Sequence, residues 1–370
     1  MSDTVRAGAI LTIDLDAIAE NYRRLQARFR GPTLAAVVKA DAYGTGIERV
    51  APLLAAIGCR EFFVAQIDEG IALRALLPDA RIHVLNGLLP GTASDFAEYR
   101  LIPVLNALEE IAAWSRFLGG RDGGTAALPA DIHFDTGLSR LGLDERSTEI
   151  LLREPERLSG MTVATILSHL ACSDEPGNPL NLEQQARFAR IRGYFSGTTA
   201  SLVSSSGIFL DPRHHHDLAR PGAALYGVNP QPKDANPMAQ VVLLQGKILQ
   251  VRNIDSPRTV GYGATHRAGP GGRVATVAVG YADGYLRSLS NAGIGYVGDI
   301  RVPVIGRVSM DLVTLDVSAV PEDRLHPGAL VDMIGPHNTV DDVARAAGTV
   351  GYEILTGLGR RYLRIYRGGA

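Results

Sequence analysis

A lysine that directly follows a short apolar run is drawn toward a protein interior. Lys39 follows Leu34-Ala35-Ala36-Val37-Val38 and opens the run Lys39-Ala40-Asp41-Ala42-Tyr43-Gly44. Partial burial lowers a lysine pKa, and the free amine can then attack a carbonyl to form a Schiff base. Four further segments carry matching chemistry. Asp135-Thr136-Gly137-Leu138-Ser139-Arg140 and Arg220-Pro221-Gly222-Ala223 each supply a guanidinium for an anion. Ser168-His169 supplies an imidazole, and Ser204-Ser205-Ser206-Gly207 is a hydroxyl- and glycine-rich loop suited, with the Gly222 and Ala223 amides, to cradling a phosphate. Taken singly, each has a plainer use: a solvated strand end, a salt bridge, a satisfied core histidine or a turn. Their significance depends on whether the fold brings them together.

The elements between these segments supply that convergence. From residue 11 to about 228, short β-rich runs alternate with stretches of helical spacing. The first helix is expected over 16–30, with Leu15, Ile18, Tyr22, Leu25 and Phe29 on one face and Asp16 as its N-cap. Eight strands follow, at 34–38, 62–65, 82–85, 103–105, 131–134, 163–167, 200–203 and 217–219. Helices are expected between them, among them 47–57, 68–76, 108–117 and 182–194. This alternation predicts an α/β fold whose first domain, residues 1–235, is a (β/α)₈ barrel. Reactive groups of such a barrel gather where its strands end, and the segments above follow strands one, five, six, seven and eight. The loops after strands seven and eight are the usual phosphate site.

After the proline-containing segment 229–237 the texture becomes β-rich, with strands expected at 241–251, 274–279, 300–305, 312–317, 330–334 and 362–366 and one helix at 340–347. Residues 236–370 therefore read as a mostly antiparallel second domain. The net charge of -2 offers no broad attraction for nucleic acid or anionic lipid. Two cysteines, Cys59 and Cys172, make no disulfide framework, and no run approaches the roughly 18 to 20 apolar residues of a spanning helix. With no signal-peptide pattern in residues 1–10, a cytoplasmic protein is expected. His214-His215-His216 lacks the spacing of a metal site, and no metal is expected. Gly246-Lys247 is not a P-loop, and Gly44-Thr45-Gly46 is not a dinucleotide fingerprint.

Six blocks of the chain resemble those of bacterial alanine racemases, the fold-type III pyridoxal-phosphate-dependent amino-acid racemases. They are Ala36-Val-Val-Lys39-Ala-Asp-Ala-Tyr43-Gly44, Asp135-Thr-Gly-Leu-Ser-Arg140-Leu-Gly142, Arg220-Pro-Gly-Ala-Ala-Leu-Tyr226-Gly227, Gly261-Tyr262-Gly-Ala-Thr265, Gly280-Tyr281-Ala-Asp-Gly284 and Gly306-Arg-Val-Ser-Met310-Asp311. They occur in the family's order and span nearly the whole chain. The resemblance implies a pyridoxal 5'-phosphate enzyme that interconverts L- and D-alanine. It also implies a head-to-tail homodimer in which the second domain of one subunit completes the other's active site.

By the same resemblance, Lys39 would carry the cofactor as a Schiff base and act as one base, and Tyr262 of a partner subunit would be the opposite base. Arg220 would face the pyridine nitrogen. Arg140 would reach the cofactor's phenolic oxygen and the substrate carboxylate. Tyr43, Ser205, Gly222, Ala223 and Tyr352 would hold the phosphate, and His169 would orient Arg220 and tune Tyr262. Tyr281, Met310 and Asp311 would line the substrate end. Arginine only donates, so Arg220 would leave the ring nitrogen unprotonated and the ring a weaker electron sink, which favours reprotonation over side reactions.

Two positions depart from the family pattern. His133 stands where many members carry a lysine that becomes a carbamate bracing the arginine, here Arg140, and Ser204 stands where Asn is usual. A broad-specificity amino-acid racemase would share these blocks. A related decarboxylase would need an acidic residue in place of Arg220 and a second-domain cysteine, and none follows Cys172. A non-catalytic pyridoxal-phosphate carrier would lack the second domain.

Overall fold

The computed structural model describes residues 3–120 and 128–369, so the outermost residues of the two expected domains lie outside the described residues. Eight parallel strands form the first domain among the described residues. They are Thr33–Leu34 continued by Ala36–Val37, then Glu61–Val64, Arg81–Val84, Ile102–Leu105, Pro129–His133, Thr162–Leu167, Thr199–Ser201 and Leu218–Ala219. The ring closes at the short eighth strand. Leu218 and Ala219 pair with Thr33 and Leu34, and the Ala35 and Val37 amides donate to Ala219 O and Pro221 O, both at 2.9 Å. On the other side the Asp217 amide donates to Ala200 O at 3.0 Å and the Arg220 amide to Val203 O at 2.9 Å. Alternation sorts the side chains of these strands. Ala35, Val37, Phe63 and Leu218 form a small cluster of their own, while Ala36, Val38, Phe62 and Val64 join the main core.

The helices that cover the barrel lie where the apolar spacing places them, including Ile47–Ala56, Ile67–Leu76, Leu108–Gly119 and Leu180–Arg192. The first helix begins earlier than expected, at Leu15–Arg28, and Asp14, not Asp16, is its N-cap. The Asp14 carboxylate accepts the Ala17 amide at 2.8 Å. Asp16 sits in the first turn and accepts instead from the Gly369 amide at 3.0 Å, tying the C-terminal end of the chain to this helix.

The second domain is a mostly antiparallel sheet built on the long strand Val242–Asn253, which pairs with Arg273–Val277 and Leu330–Ile334. Its other element pairs antiparallel and comes from the start of the chain. Ala9–Asp14, placed by position in the first domain, lies between Val242–Asn253 and the parallel Leu363–Arg367. Ala9–Asp14 thus belongs to one domain's sheet, and the chain crosses at Asp14 into the other's helix Leu15–Arg28. Further elements escape the sequence reading: the strand Ile294–Val297, the hairpin Arg258–Val260 and His266–Ala268, and a second helix, Gly351–Gly357, whose two glycines and β-branched Ile and Thr hide its helical character. No helix among the described residues is long and apolar enough to cross a membrane.

Candidate active site

A cavity of about 920 Å³ opens at the C-terminal ends of the barrel strands. Lys39, Tyr43, His133, Arg140, His169, Ser204, Ser205, Arg220, Gly222, Ala223 and Tyr352 all line it. Eleven residues, from all five strand-end segments together with His133 and Tyr352, therefore meet, as the strand-end reading requires. A second cavity, of about 620 Å³ and lined by Pro32, Arg192 and Asp217, lies at the opposite mouth. The three consecutive histidines do not converge on a common point. His215 Nδ1 accepts the Arg30 amide at 3.1 Å, His214 Nδ1 faces Asp211 O at 3.0 Å, and His216 Nδ1 faces Arg192 at 3.0 Å.

Lys39 owes its direction to an unusual turn. Ala40, Asp41, Ala42 and Tyr43 have φ of 53°, 56°, 53° and 55°, a left-handed run without glycine. Left-handed helix costs L-residues roughly 1–2 kcal/mol each, so the surroundings must hold it. The Ala42 amide donates to Val38 O at 2.9 Å, and the Gly44 amide to Ala40 O at 2.8 Å. The Asp41 carboxylate accepts the Ile47 amide at 2.8 Å, and Glu69 accepts the Ala40 amide at 2.6 Å. Lys39 and Tyr43, at the two ends of the turn, both face the cavity. Nothing in Ala-Asp-Ala marks a left-handed turn, and the sequence reading missed it.

The electrostatics are set by burial and by three cations. Burial lowers the Lys39 ammonium below the usual lysine range; Arg140 adds to this and Glu69 opposes it. Burial, then the charge of Arg220, pushes His133 and His169 each down to about 3, so both rings are neutral at physiological pH. His133 Nδ1 lies 2.8 Å from Asn106 Oδ1. A neutral ring must donate there, which leaves Nε2 as an acceptor. Burial brings Arg220 down to about 10, against the opposing charge of Asp131, and it stays protonated. Its guanidinium donates to Ser201 Oγ and, at 2.6 Å, to Ser168 O, with His169 Nδ1 at 3.5 Å.

The loops after strands seven and eight lock together. Ser205 Oγ accepts the Gly222 amide at 3.0 Å and the Ala224 amide at 3.1 Å. The Gly222 N–H, expected to serve a ligand, is therefore taken by Ser205. The Ala223 N–H between them has no acceptor among the described residues and lies on the cavity wall. A Cβ on Gly222 would stand 2.3 Å from the Tyr43 hydroxyl. Tyr43 in turn stacks on Tyr226 at 4.8 Å.

Four expected site residues lie elsewhere. Tyr262, Tyr281, Met310 and Asp311 do not line this cavity, and the first three are 72%, 42% and 54% exposed. They belong to contiguous segments of the second domain. Tyr262 rides a tight turn between Gly261 and Gly263, with φ of 73° and 69°, packed on Arg307. The Tyr281 amide donates to Ser309 O at 3.1 Å and the Ala282 amide to Met310 O at 2.9 Å. Arg361 ties the two loops, at 3.1 Å from Asp283 and 2.8 Å from Asp311. The second domain thus exposes these side chains away from the chain's own cavity.

Comparison with known proteins agrees along the full length. The family model for the alanine racemase N-terminal domain matches residues 13–230, and that for the alanine racemase C-terminal domain matches residues 241–366. A curated alanine racemase of Rhodospirillum rubrum is 54% identical over 98% of this chain and 97% of its own. One from Brucella abortus is 47% identical over 97% of this chain and 94% of its own. The crystal structure of alanine racemase from Bartonella henselae, with covalently bound pyridoxal phosphate, superposes with a TM-score of 0.93 at 39% identity, covering 98% of this chain and all of that one.

Proposed function

This chain belongs to the alanine racemase family, and from that premise we propose that the barrel-mouth cavity is its racemisation site, with Lys39 as one base and Tyr262 of a second copy as the other. The protein is a pyridoxal-phosphate enzyme that interconverts L- and D-alanine. The cavity fits the cofactor: it offers a depressed lysine amine, two arginines, the Tyr43 and Ser205 hydroxyls and the orphan Ala223 N–H. When bound, the cofactor withdraws electrons from the amino acid and makes its Cα proton acidic. Lys39 would anchor it and hold or release a proton on one face. Arg220 would serve the ring nitrogen as a donor, and His169, 3.5 Å from its guanidinium, would hold Arg220 in place. Arg140 would serve the phenolic oxygen and the substrate carboxylate. Tyr43, Ser205, Gly222, Ala223 and Tyr352 would hold the phosphate, with Gly222 acting through its bond to Ser205 and by leaving room for Tyr43.

The observation that carries the two-copy reading is that neither histidine of the cavity is a competent second base. His133 and His169, both near 3, are too weak to take a Cα proton at neutral pH. Tyr262, meanwhile, stands exposed on the second domain, as do Tyr281 and Met310. A head-to-tail homodimer that seats this face over a partner's cavity supplies the missing base, and Tyr281, Met310 and Asp311 then close the substrate end. The two cysteines, Cys59 and Cys172, are free thiols, which supports a reducing, cytoplasmic setting. Borohydride treatment of the holoenzyme is expected to fix the cofactor on Lys39; a peptide map with the label on another lysine overturns the assignment.

Two further outcomes are expected. His133 accepts with Nε2 and cannot form a carbamate, so removing and restoring bicarbonate is expected to leave activity unchanged. A reversible CO₂-dependent gain, with a carbamylated lysine beside Arg140, would contradict this role. Gly222→Ala is expected to displace the Tyr43 hydroxyl, since the new methyl meets it at 2.3 Å. Overpacking of this kind costs about 1–3 kcal/mol, so titrating the apoprotein with cofactor should show roughly ten-fold weaker binding or more. Unchanged affinity would show that Tyr43 does not bear on the phosphate.

A further inference from the structure

Beneath the cavity floor the barrel holds a buried histidine with a carboxylate on each ring nitrogen. His83 and Asp131 are both 0% exposed. His83 Nδ1 lies 2.6 Å from Asp131 Oδ2 and Nε2 lies 2.7 Å from Glu61 Oε2. A carboxylate only accepts, so both ring nitrogens must donate and the ring is an imidazolium. The flat face of the ring stacks on Phe63 at 4.3 Å. Glu61 is met at its other oxygen by Arg81, 3.1 Å away and half exposed. Asp131 lies two residues before His133 on the same strand, so both side chains point into the barrel, His133 at the cavity and Asp131 one layer below. The second carboxylate oxygen of Asp131 has no hydrogen-bond partner. Charges therefore alternate through the barrel: Arg81, Glu61, His83, Asp131 and, at the cavity, Arg220.

We propose that Asp131 is the buried counter-charge of Arg220 and that His83, itself paired with Glu61, offsets part of that charge, making Asp131 and His83 positioning residues that set how strongly Arg220 acts on the cofactor ring. Arg220 is 4% exposed and its direct partners are Ser201 Oγ, Ser168 O and the neutral His169, none of which carries a negative charge. A buried guanidinium without a counter-charge is costly. Asp131 supplies that charge without touching Arg220: it shares a row across the sheet with Thr165 and Thr199, one layer below Ser201, to which Arg220 donates, so the guanidinium keeps its remaining N–H groups for the site. His133 and His169 also lie within the field of Arg220, and being neutral they do not offset it. The raised affinity of His83 for its proton, to about 9, agrees with the imidazolium that the geometry requires.

The inference rests on the reading that Arg220 faces the ring nitrogen, and the test separates the two. Holoenzyme is reconstituted with pyridoxal phosphate labelled with ¹⁵N in the ring, and the nitrogen resonance is recorded. Asp131→Asn keeps the shape but removes the charge; Arg220 becomes a stronger donor and the resonance moves upfield. His83→Gln removes the cation that offsets Asp131, and the resonance moves downfield. Asp131→Glu returns it toward the wild-type position. Opposite displacements are the signature of charge, which lost packing does not produce. Displacement of both in the same direction, or of neither while Arg220→Lys moves the signal, overturns the proposal. If Arg220→Lys also leaves the signal in place, the reading of Arg220 fails first and the ladder falls with it. Should Asp131→Asn fail to fold, the sign of the His83→Gln displacement decides alone.

Discussion

Lys39→Ala is expected to abolish racemisation, with a loss of at least about 10³-fold, because one side chain is removed from two tasks, anchoring the cofactor and moving a proton. The fold should survive. Lys39 sits in a polar cavity, and its ammonium makes no hydrogen bond among the described residues. The left-handed turn that aims it is held by backbone and carboxylate groups at Ala40, Asp41, Ala42 and Gly44, which remain. A second consequence follows from burial and from Arg140, which hold the ammonium below the usual lysine range. A lowered pKa leaves more free amine at a given pH, so the wild-type apoprotein should capture the cofactor at pH values where a free lysine is still protonated. Stopped-flow absorbance of cofactor capture against pH checks this. A rate that rises only near the pH of an ordinary lysine would contradict the depressed amine.

Tyr262→Phe is expected to be nearly as severe for racemisation, about 10²–10⁴-fold, while sparing chemistry on one face. The substitution removes a single hydroxyl from a residue that is 72% exposed, so the monomer has no reason to unfold. Two fixed bases on opposite faces need no motion between proton removal and return. With Lys39 intact and Tyr262 lost, D-alanine should still exchange its Cα proton with heavy water, whereas L-alanine should not. Deuterium uptake followed by mass spectrometry from each enantiomer separately gives the answer. Equal residual exchange from both enantiomers, or unchanged racemisation, would show that Tyr262 is not the face-specific base.

Much of this was legible because parallel barrels write themselves plainly. Apolar strands of four to six residues, such as Glu61–Val64 and Thr162–Leu167, alternate with amphipathic helices, and chemistry falls at strand ends. Even the short Leu218–Ala219 was visible as the eighth repeat. Features that depend on distant pairing were hidden. Ala9–Asp14 falls by position in the first domain, yet hydrogen bonding to Val242–Asn253 and Leu363–Arg367 places it in the second sheet. The cap moved from Asp16 to Asp14 because that strand runs directly into the helix. The hairpin that carries Tyr262 is only three residues per strand. Glu61, His83 and Asp131 are 22 and 48 residues apart along the chain, and only the barrel's closure sets them in line. Inward parity was the one available signal: His83 and Asp131 each sit at a strand position flanked by apolar neighbours.

The central claim is that one cavity needs two chains, and subunit exchange tests it most directly. Lys39→Ala protein and Tyr262→Phe protein, each inactive, are mixed and allowed to exchange, with the mixed dimer verified by native mass spectrometry. In that dimer one cavity receives intact Lys39 from its own chain and intact Tyr262 from the partner, and the other receives neither. Racemisation should return in proportion to the mixed dimer formed, approaching half the wild-type rate per dimer. A verified mixed dimer that racemises no faster than its parents would show that Tyr262 does not act across the interface.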